Sequence, residues 1–173
     1  MEELTFIMIR KAKISDIDNI YSLYKSTATI PGGLARNVEE ITREYISNFV
    51  TNSITRGLSL VVEMNKEIIG ELHAYRPNIK VFNHVLSELT ICIHPDHQGL
   101  KYGKSLFTEF MNIIQNKMNN IKRVELIARE SNTKAIKFYQ SLDFEIEGCL
   151  RNRIEGILNR LENDIPMGWI RSS

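Results

Sequence analysis

The 173-residue chain is poor in several things that would each point to a class. It has only two cysteines, Cys92 and Cys149. Neither belongs to a C-x-x-C pair or a Cys/His spacing, which argues against a zinc site or any other metal centre. Both lie in apolar, strand-like runs, as expected of thiols in a reducing cytoplasm. No apolar run approaches the ~18 residues of a membrane span. The opening Met1–Phe6, with two acids, does not read as a signal peptide. The net charge is only +1, so no basic stripe for nucleic acid and no acidic tail stands out. Pairs such as Lys101 with Lys104, or Arg151 with Arg153, suit a solvated face.

What is present is ordinary globular material. Hydrophobic residues make up 43% and charged residues 25%, which excludes disorder. The length predicts one domain over residues 1–173, large enough to fold without staples.

The hydrophobic period alternates between two and 3.6. Phe6–Ala12 reads as a strand. Ser15 reads as the cap of a helix carrying Asp16 and Asp18 in its first turn and Ile17, Ile20, Tyr21 and Tyr24 on one stripe. Pro31-Gly32-Gly33 breaks the chain. Asn37 is expected to cap a second helix with Val38, Ile41, Tyr45 and Phe49 on its apolar face. Leu58–Met64 and Glu67–Tyr75 form a hairpin about Asn65-Lys66. Val85–Ile93 is a strand, Gly103–Met118 an amphipathic helix, Arg123–Ala128 a strand and Asn132–Leu142 a short helix. Strands at Glu145–Asn152 and Leu161–Ile170 close the chain. The expected fold is α/β (α+β), a mixed sheet of about seven strands flanked by helices, with a right-handed parallel crossover at its centre.

Glu88–Ser105 carries the chemistry. A buried strand enters a loop with two glycines, and the loop opens a long helix. The first N–H groups of a helix lack intrahelical partners and sit at its positive end, so this is a cradle for an anion, most simply a phosphate. The triphosphate-binding pattern G-x-x-x-x-G-K-S/T is absent, because Gln98 stands five before Gly103. The dinucleotide pattern G-x-G-x-x-G is absent too.

Gln98–Gly103 resembles the Q/R-x-x-G-x-G/A motif of the GNAT superfamily of N-acetyltransferases. The departure is Lys101 in place of glycine, a position that carries strain if it needs positive φ. Asn132-Thr-Lys-Ala-Ile-Lys-Phe138-Tyr139 resembles the family's second motif, and Leu142-Asp143-Phe144 its L-G-F ending with Asp143 for glycine. Asn132 and Tyr139 are two helical turns apart and share a face. The resemblance covers Ile9–Ile170 and is strongest over Glu88–Cys149.

The resemblance implies a sheet splayed between its fourth and fifth strands, with acetyl-CoA as co-substrate and no metal. Backbone groups of Ile91 and Ile93 would pair with the pantetheine arm. Gln98, Gly99, Leu100, Lys101, Tyr102, Gly103, Lys104 and Ser105 would hold the pyrophosphate, Asn132 would also bind the cofactor, and Tyr139 would sit beside its sulfur. A backbone N–H at a bulge of the fourth strand would stabilise the oxyanion. Glu88 is the expected general base, with Glu71 and His73 as alternatives, and Tyr139 the acid that protonates the thiolate. Cys92 reads as a buried strand residue rather than a covalent relay.

The amine is expected between Thr29–Arg36 and residues near Arg151, under a lid at Ile30–Leu34. It would be a small molecule, a lysine or a protein N-terminus. A non-catalytic acyl-CoA sensor, a transferase of longer acyl groups set by the space near Leu72, Thr90 and Ala128, and a plain interaction domain remain open. A homodimer through the last strands is a further expectation, and Trp169 fits either an interface anchor or a core residue.

Overall fold

A computed structural model of the chain describes residues 6–31, 33–156 and 159–172. The elements run β1 (Ile7–Lys11), α1 (Ile17–Ala28), α2 (Arg43–Arg56), β2 (Gly57–Met64), β3 (Glu67–Tyr75), β4 (Val85–Ile93), α3 (Tyr102–Lys117), β5 (Arg123–Arg129), α4 (Thr133–Gln140), β6 (Glu145–Ile146), β7 (Leu150–Glu155) and β8 (Leu161–Ile170). The eight strands form one mixed sheet in the order β1-β2-β3-β4-β5-β8-β6, with β7 also on β8.

Alternation along the strands divides the core into two layers. Leu58, Leu60, Val62, Leu72 and Leu86 face α3, joined by Phe107, Phe110 and Ile114. Val61, Ile68 and Cys92 face α1 and α2, against Ile20, Tyr24, Ile46 and Phe49. Trp169 is 5% exposed and belongs to the α3 layer, which makes it a core residue.

Three helix and strand boundaries differ from the sequence reading. A 3₁₀ turn over Ile14–Asp16 precedes the first helix, so Ser15 lies inside that turn and caps nothing, and the turn is closed by Asp16. Its carboxylate accepts from the Lys13 N–H at 2.8 Å and receives both terminal nitrogens of Arg10 at 2.7 and 3.0 Å. Burial opposes the charge on Asp16, but the Arg10 guanidinium and the Lys13 N–H outweigh it and hold the carboxyl below its usual range.

At the second helix, Asn37 opens only a 3₁₀ turn over Val38–Glu40, and α2 starts later, capped by Thr42 Oγ1 accepting from the Tyr45 N–H at 3.1 Å. Val38 and Ile41 therefore precede the helix. The strand expected over Glu145–Asn152 is two short strands, because β6 and β7 meet β8 in separate registers, Ile146 opposite Met167 and Leu150 opposite Asp164.

The feature that positions the site is a break in the sheet. β4 and β5 pair in parallel only at Val85–Arg123 and Leu86–Val124. Beyond that point β4 continues along β3 while β5 follows β8, so the sheet opens into a wedge.

Candidate functional site

The wedge is lined on the α3 side by a cleft of about 370 Å³, bounded by Ile91 and Ile93 of β4, Gln98, Gly99, Gly103 and Lys104 of the loop and helix, and Asn132, Lys134, Ala135, Phe138 and Tyr139 of α4. The opposite face of β4 borders a smaller and more enclosed pocket of about 150 Å³, lined by residues that include Tyr24, Arg36, Tyr45, Phe49, His73, Glu88 and Thr90. The two cavities meet one stretch of β4 from its two faces, where no strand closes the gap.

The loop into α3 is built for an anion. Gly99 has φ +77° and Lys101 φ +69°, so the backbone turns twice through the left-handed region. Lys101 is thus the strained position its departure from glycine predicts. Among the described residues, the N–H groups from Gly99 to Lys104 donate to no protein acceptor; the ladder resumes with Ser105 donating to the Lys101 carbonyl at 3.0 Å. Six successive unpaired donors at a helix N-terminus suit a pyrophosphate. Gly103 keeps the way open, because a Cβ there would point at Ile93 Cγ1 and Ile91 Cδ1, 3.5 and 3.7 Å away across the cleft.

Gln98 has a positional role: its amide donates to the Ile93 carbonyl at 3.0 Å and ties the loop to the end of β4. That carbonyl, expected to face the pantetheine, also lies 3.4 Å from Thr27 Oγ1.

The side chains of the loop divide. Lys104 borders the cleft and sits 5.4 Å from the Phe138 ring centre. Lys101 and Ser105 line a separate depression with Ile7, Met8 and Ile9. Leu100 points outward at 57% exposure, and Tyr102 packs toward the core beside His97. The side chains of these four residues do not line the cleft, so what Leu100, Lys101 and Tyr102 can offer there is their unpaired N–H groups.

Asn132 is the cap of α4, its Oδ1 accepting from the Ala135 N–H at 3.2 Å, and it also borders the cleft. Tyr139 packs on Phe107 at 5.0 Å between ring centres. Burial raises its pKa. Its hydroxyl has no partner among the described residues, and no buried side-chain polar atom is left unpaired, so the hydroxyl opens to the cleft.

β4 is bulged where the notional oxyanion site falls. Ser87 pairs with Tyr75 and Thr90 with His73, leaving Glu88 and Leu89 opposite Ala74 alone. Glu88 is the extra residue, at φ +56°. Strict alternation from Leu86 would send Glu88 toward α3; the bulge turns it to the pocket on the α1–α2 face instead.

Behind the pocket lies a buried polar chain. Glu71, fully buried, accepts from Tyr24 Oη and Ser59 Oγ, each at 2.7 Å, and lies 3.0 Å from His73 Nδ1. The His73 ring stacks on Phe49 with centres 3.9 Å apart. With Nδ1 engaged and no buried nitrogen left unpaired, Nε2 opens into the pocket. Burial and then the neighbouring Glu71 push the Tyr24 hydroxyl far above its ordinary range, so it acts as a fixed donor.

The loop after α1 roofs both cavities: Gly33 borders the cleft, while Leu34, Ala35 and Arg36 border the pocket. Gly32, part of the expected lid, lies outside the described residues. Arg151 lines neither cavity, and Thr90, expected near the acyl end of the cleft, lines the pocket. The aromatic walls Tyr24, Tyr45 and Phe49 and the contribution of Ser59 were not assigned from sequence. Their helical and strand spacing signals burial, and only the assembled fold turns it toward a pocket.

Cys92 Sγ donates to Thr27 Oγ1 at 3.2 Å, and burial pushes its pKa up to about 12, as suits an inert core thiol. Among the described residues no group of His, Cys, Asp and Glu could hold a metal ion, and no helix is long and apolar enough to cross a membrane.

Solved structures share this architecture. A GNAT-family acetyltransferase from Streptococcus pneumoniae superposes with a TM-score of 0.84 at 19% identity, covering 96% of this chain and 100% of its own. The ribosomal-protein-alanine N-acetyltransferase of Brucella melitensis gives 0.79 at 19%, covering 95% and 99%. The yncA protein of Salmonella typhimurium, solved with its cofactor acetyl-CoA, gives 0.81 at 17%, covering 97% and 95%. At these identities the likeness speaks for the fold alone. No curated protein matches the chain in sequence. Residues 17–144, from the start of α1 through both cavity-lining motifs to Phe144, match the acetyltransferase (GNAT) family. With the splayed sheet and the open N–H cradle at α3, that match places the chain in the GNAT family of acetyltransferases.

Proposed function

We propose that the protein is a single-domain, cytoplasmic N-acetyltransferase that moves an acetyl group directly from acetyl-CoA to a primary amine within a ternary complex. The observation that carries this reading is the two-sided access to β4. The cleft with its N–H cradle lies on one face, the enclosed pocket on the other, and the bulge at Glu88–Leu89 stands between them.

Acetyl-CoA supplies an activated acyl carbon and a good leaving group. The residues present fit it: Gly99–Lys104 offer N–H groups and Lys104 and Lys134 charge at the phosphate end, while Ile91, Phe107 and Phe138 give an apolar passage.

The chain's own groups divide the remaining work. A primary amine is protonated near neutrality, with a pKa of about 10.4 for a lysine-like group, so it must lose a proton before it attacks. Glu88 borders the pocket at the bulge and accepts that proton, directly or through water. Tyr139, its hydroxyl open to the cleft and its pKa raised by burial, holds the proton needed by the departing thiolate. The strained φ of Glu88 is the local signature of a functional bulge.

One observation favours a second base. His73 Nε2 faces the same pocket with Nδ1 anchored on buried Glu71. The test is kcat/KM of Glu88→Gln, His73→Asn and Tyr139→Phe, with acetyl-CoA binding followed by thermal shift. Glu88 as base requires that Glu88→Gln cost roughly 10²–10⁴-fold in kcat/KM while acetyl-CoA binding stays intact. A loss of that size in His73→Asn, with Glu88→Gln close to the parent, transfers the role to the dyad. Absence of any acetyl-CoA shift in the unmodified protein refutes the transferase reading altogether.

A further inference from the structure

The pocket on the α1–α2 face carries more information than its position. Its volume, about 150 Å³, is that of a cavity that admits a benzene-sized body. The walls Tyr24, Tyr45 and Phe49 are aromatic and form one mutually packed cluster, with ring centres 5.2–6.4 Å apart.

Two opposite charges border this space. Arg36 stands on the loop after α1 and Glu88 on the bulge of β4, and neither has an ion-pair partner among the described residues. Arg36 is not an idle surface cation: its guanidinium carbon lies 4.2 Å from the centre of the Tyr45 ring, which fixes it at the pocket wall. Both charges are felt at Tyr75, where burial first raises the hydroxyl's pKa, Glu88 adds to the rise and Arg36 opposes it. A third polar feature is His73, 2% exposed, with Nε2 unpaired and open to the same pocket.

Resting on the acetyltransferase reading, we propose that the amine substrate is a free, small apolar α-amino acid, held with its carboxylate on Arg36, its amino group beside Glu88 and its side chain among Tyr24, Tyr45 and Phe49. The chemistry selects this class over its rivals. A polyamine brings several positive charges, yet the pocket offers one carboxylate and an arginine that repels them, since Glu71 is sealed behind His73. In a peptide N-terminus the α-carboxyl beside the amino group is an amide and offers Arg36 no charge. A simple alkylamine would leave the guanidinium without its counter-charge. The transfer forms one C–N bond and breaks the thioester C–S bond. Of the two protons the ammonium gives up, one ends on the thiolate and one in solvent.

The test is thiol release from acetyl-CoA with leucine, methionine and norvaline. These are set against leucinamide, isopentylamine, spermidine and an unblocked hexapeptide, each measured with the unmodified protein and with Arg36→Gln. The proposal expects the amino acids to be preferred. It also expects Arg36→Gln to raise their KM about ten-fold or more without weakening isopentylamine, which has no carboxylate for the guanidinium. Because Arg36 is exposed, the variant should fold normally, and an unchanged acetyl-CoA thermal shift verifies it. A preference for leucinamide, spermidine or the peptide overturns the proposal, as does equal loss for every amine in Arg36→Gln. Binding of acetyl-CoA with no turnover of any amino acid also overturns it while leaving the transferase reading intact; failure to bind acetyl-CoA overturns the latter.

Discussion

Gly103→Ala and Gly103→Val together test the start of α3 and the cradle. Gly103 is the second residue of α3, a position with ordinary helical geometry. Alanine there gains about 0.5–1 kcal/mol over glycine from reduced freedom of the unfolded chain and better helix propensity. The new methyl meets Ile93 Cγ1 at 3.5 Å and Ile91 Cδ1 at 3.7 Å, ordinary contact distances, so no steric cost offsets the gain. For a chain of this size the melting temperature should rise by about 1–4 °C. The motif that Gln98–Gly103 resembles admits alanine at its last position, so the unpaired N–H groups should keep their hold on a phosphate. At a ligand concentration of 100 times the Kd, acetyl-CoA should therefore still add about 2.7 kcal/mol. The two further methyls of Gly103→Val crowd the cleft beside Ile91 and Ile93. Losing one charge-assisted hydrogen bond there weakens binding by about ten-fold or more, and the added stability drops to about 1.4 kcal/mol or below. Differential scanning fluorimetry with and without acetyl-CoA reads both quantities in one experiment. A less stable free Gly103→Ala protein would refute the geometry of the helix start; an undiminished ligand shift in Gly103→Val would refute the cradle.

The remaining predictions concern the strained loop, the buried thiol and the first turn of α1. Lys101→Gly should stabilise the chain by up to about 1 kcal/mol in a urea titration, because glycine takes φ +69° without the Cβ penalty; Lys101→Ala should give no such gain. Cys92→Ala should cost about 1 kcal/mol of packing and leave turnover within about two-fold, since a thiol with its pKa near 12 is no nucleophile at neutral pH; loss of turnover in a folded variant would restore a covalent relay. Asp16→Asn should cost about 1–3 kcal/mol, and only above the acid range. The folded-state pKa of Asp16 lies below its unfolded value, so its contribution is fully present above about pH 4 and is lost as pH falls through the folded value. Denaturation curves of the variant and the parent should therefore converge toward low pH, and a constant gap down to pH 2 would contradict the ion pair with Arg10.

Local signals carried most of the fold. Leu58–Met64 and Glu67–Tyr75 are legible as a hairpin because their alternation is bracketed by Asn65-Lys66, both of which adopt positive φ. What failed was choice among adjacent caps. Ser15 reads as a cap on paper, but Arg10, paired to Asp16 from the neighbouring strand, and the Lys13 N–H hold that carboxylate over a 3₁₀ turn that contains Ser15. Asn37 and Thr42 compete in the same way, and each caps something, but only Thr42 heads a helix that buries Phe49 and Val50.

The site divides along a similar line. The cradle was visible because its function resides in backbone groups whose exposure follows from the start of a helix and the spacing of glycines. The pocket was legible only in part: the resemblance pointed to Glu88, His73 and the loop ending at Arg36, but the walls from α1 and α2 were not foreseen, and no spacing rule links Arg36 to Glu88. A bulge adds to the difficulty. One extra residue in β4 reverses the side to which Glu88 points, so alternation counted from Leu86 gives the wrong face and alternation counted back from Ile91 gives the right one. The backbone strain at Glu88, a bulky charged residue at φ +56°, is held there by the β3 pairing on either side of it. The device that misleads a count from Leu86 is therefore the same one that aims Glu88 into the pocket.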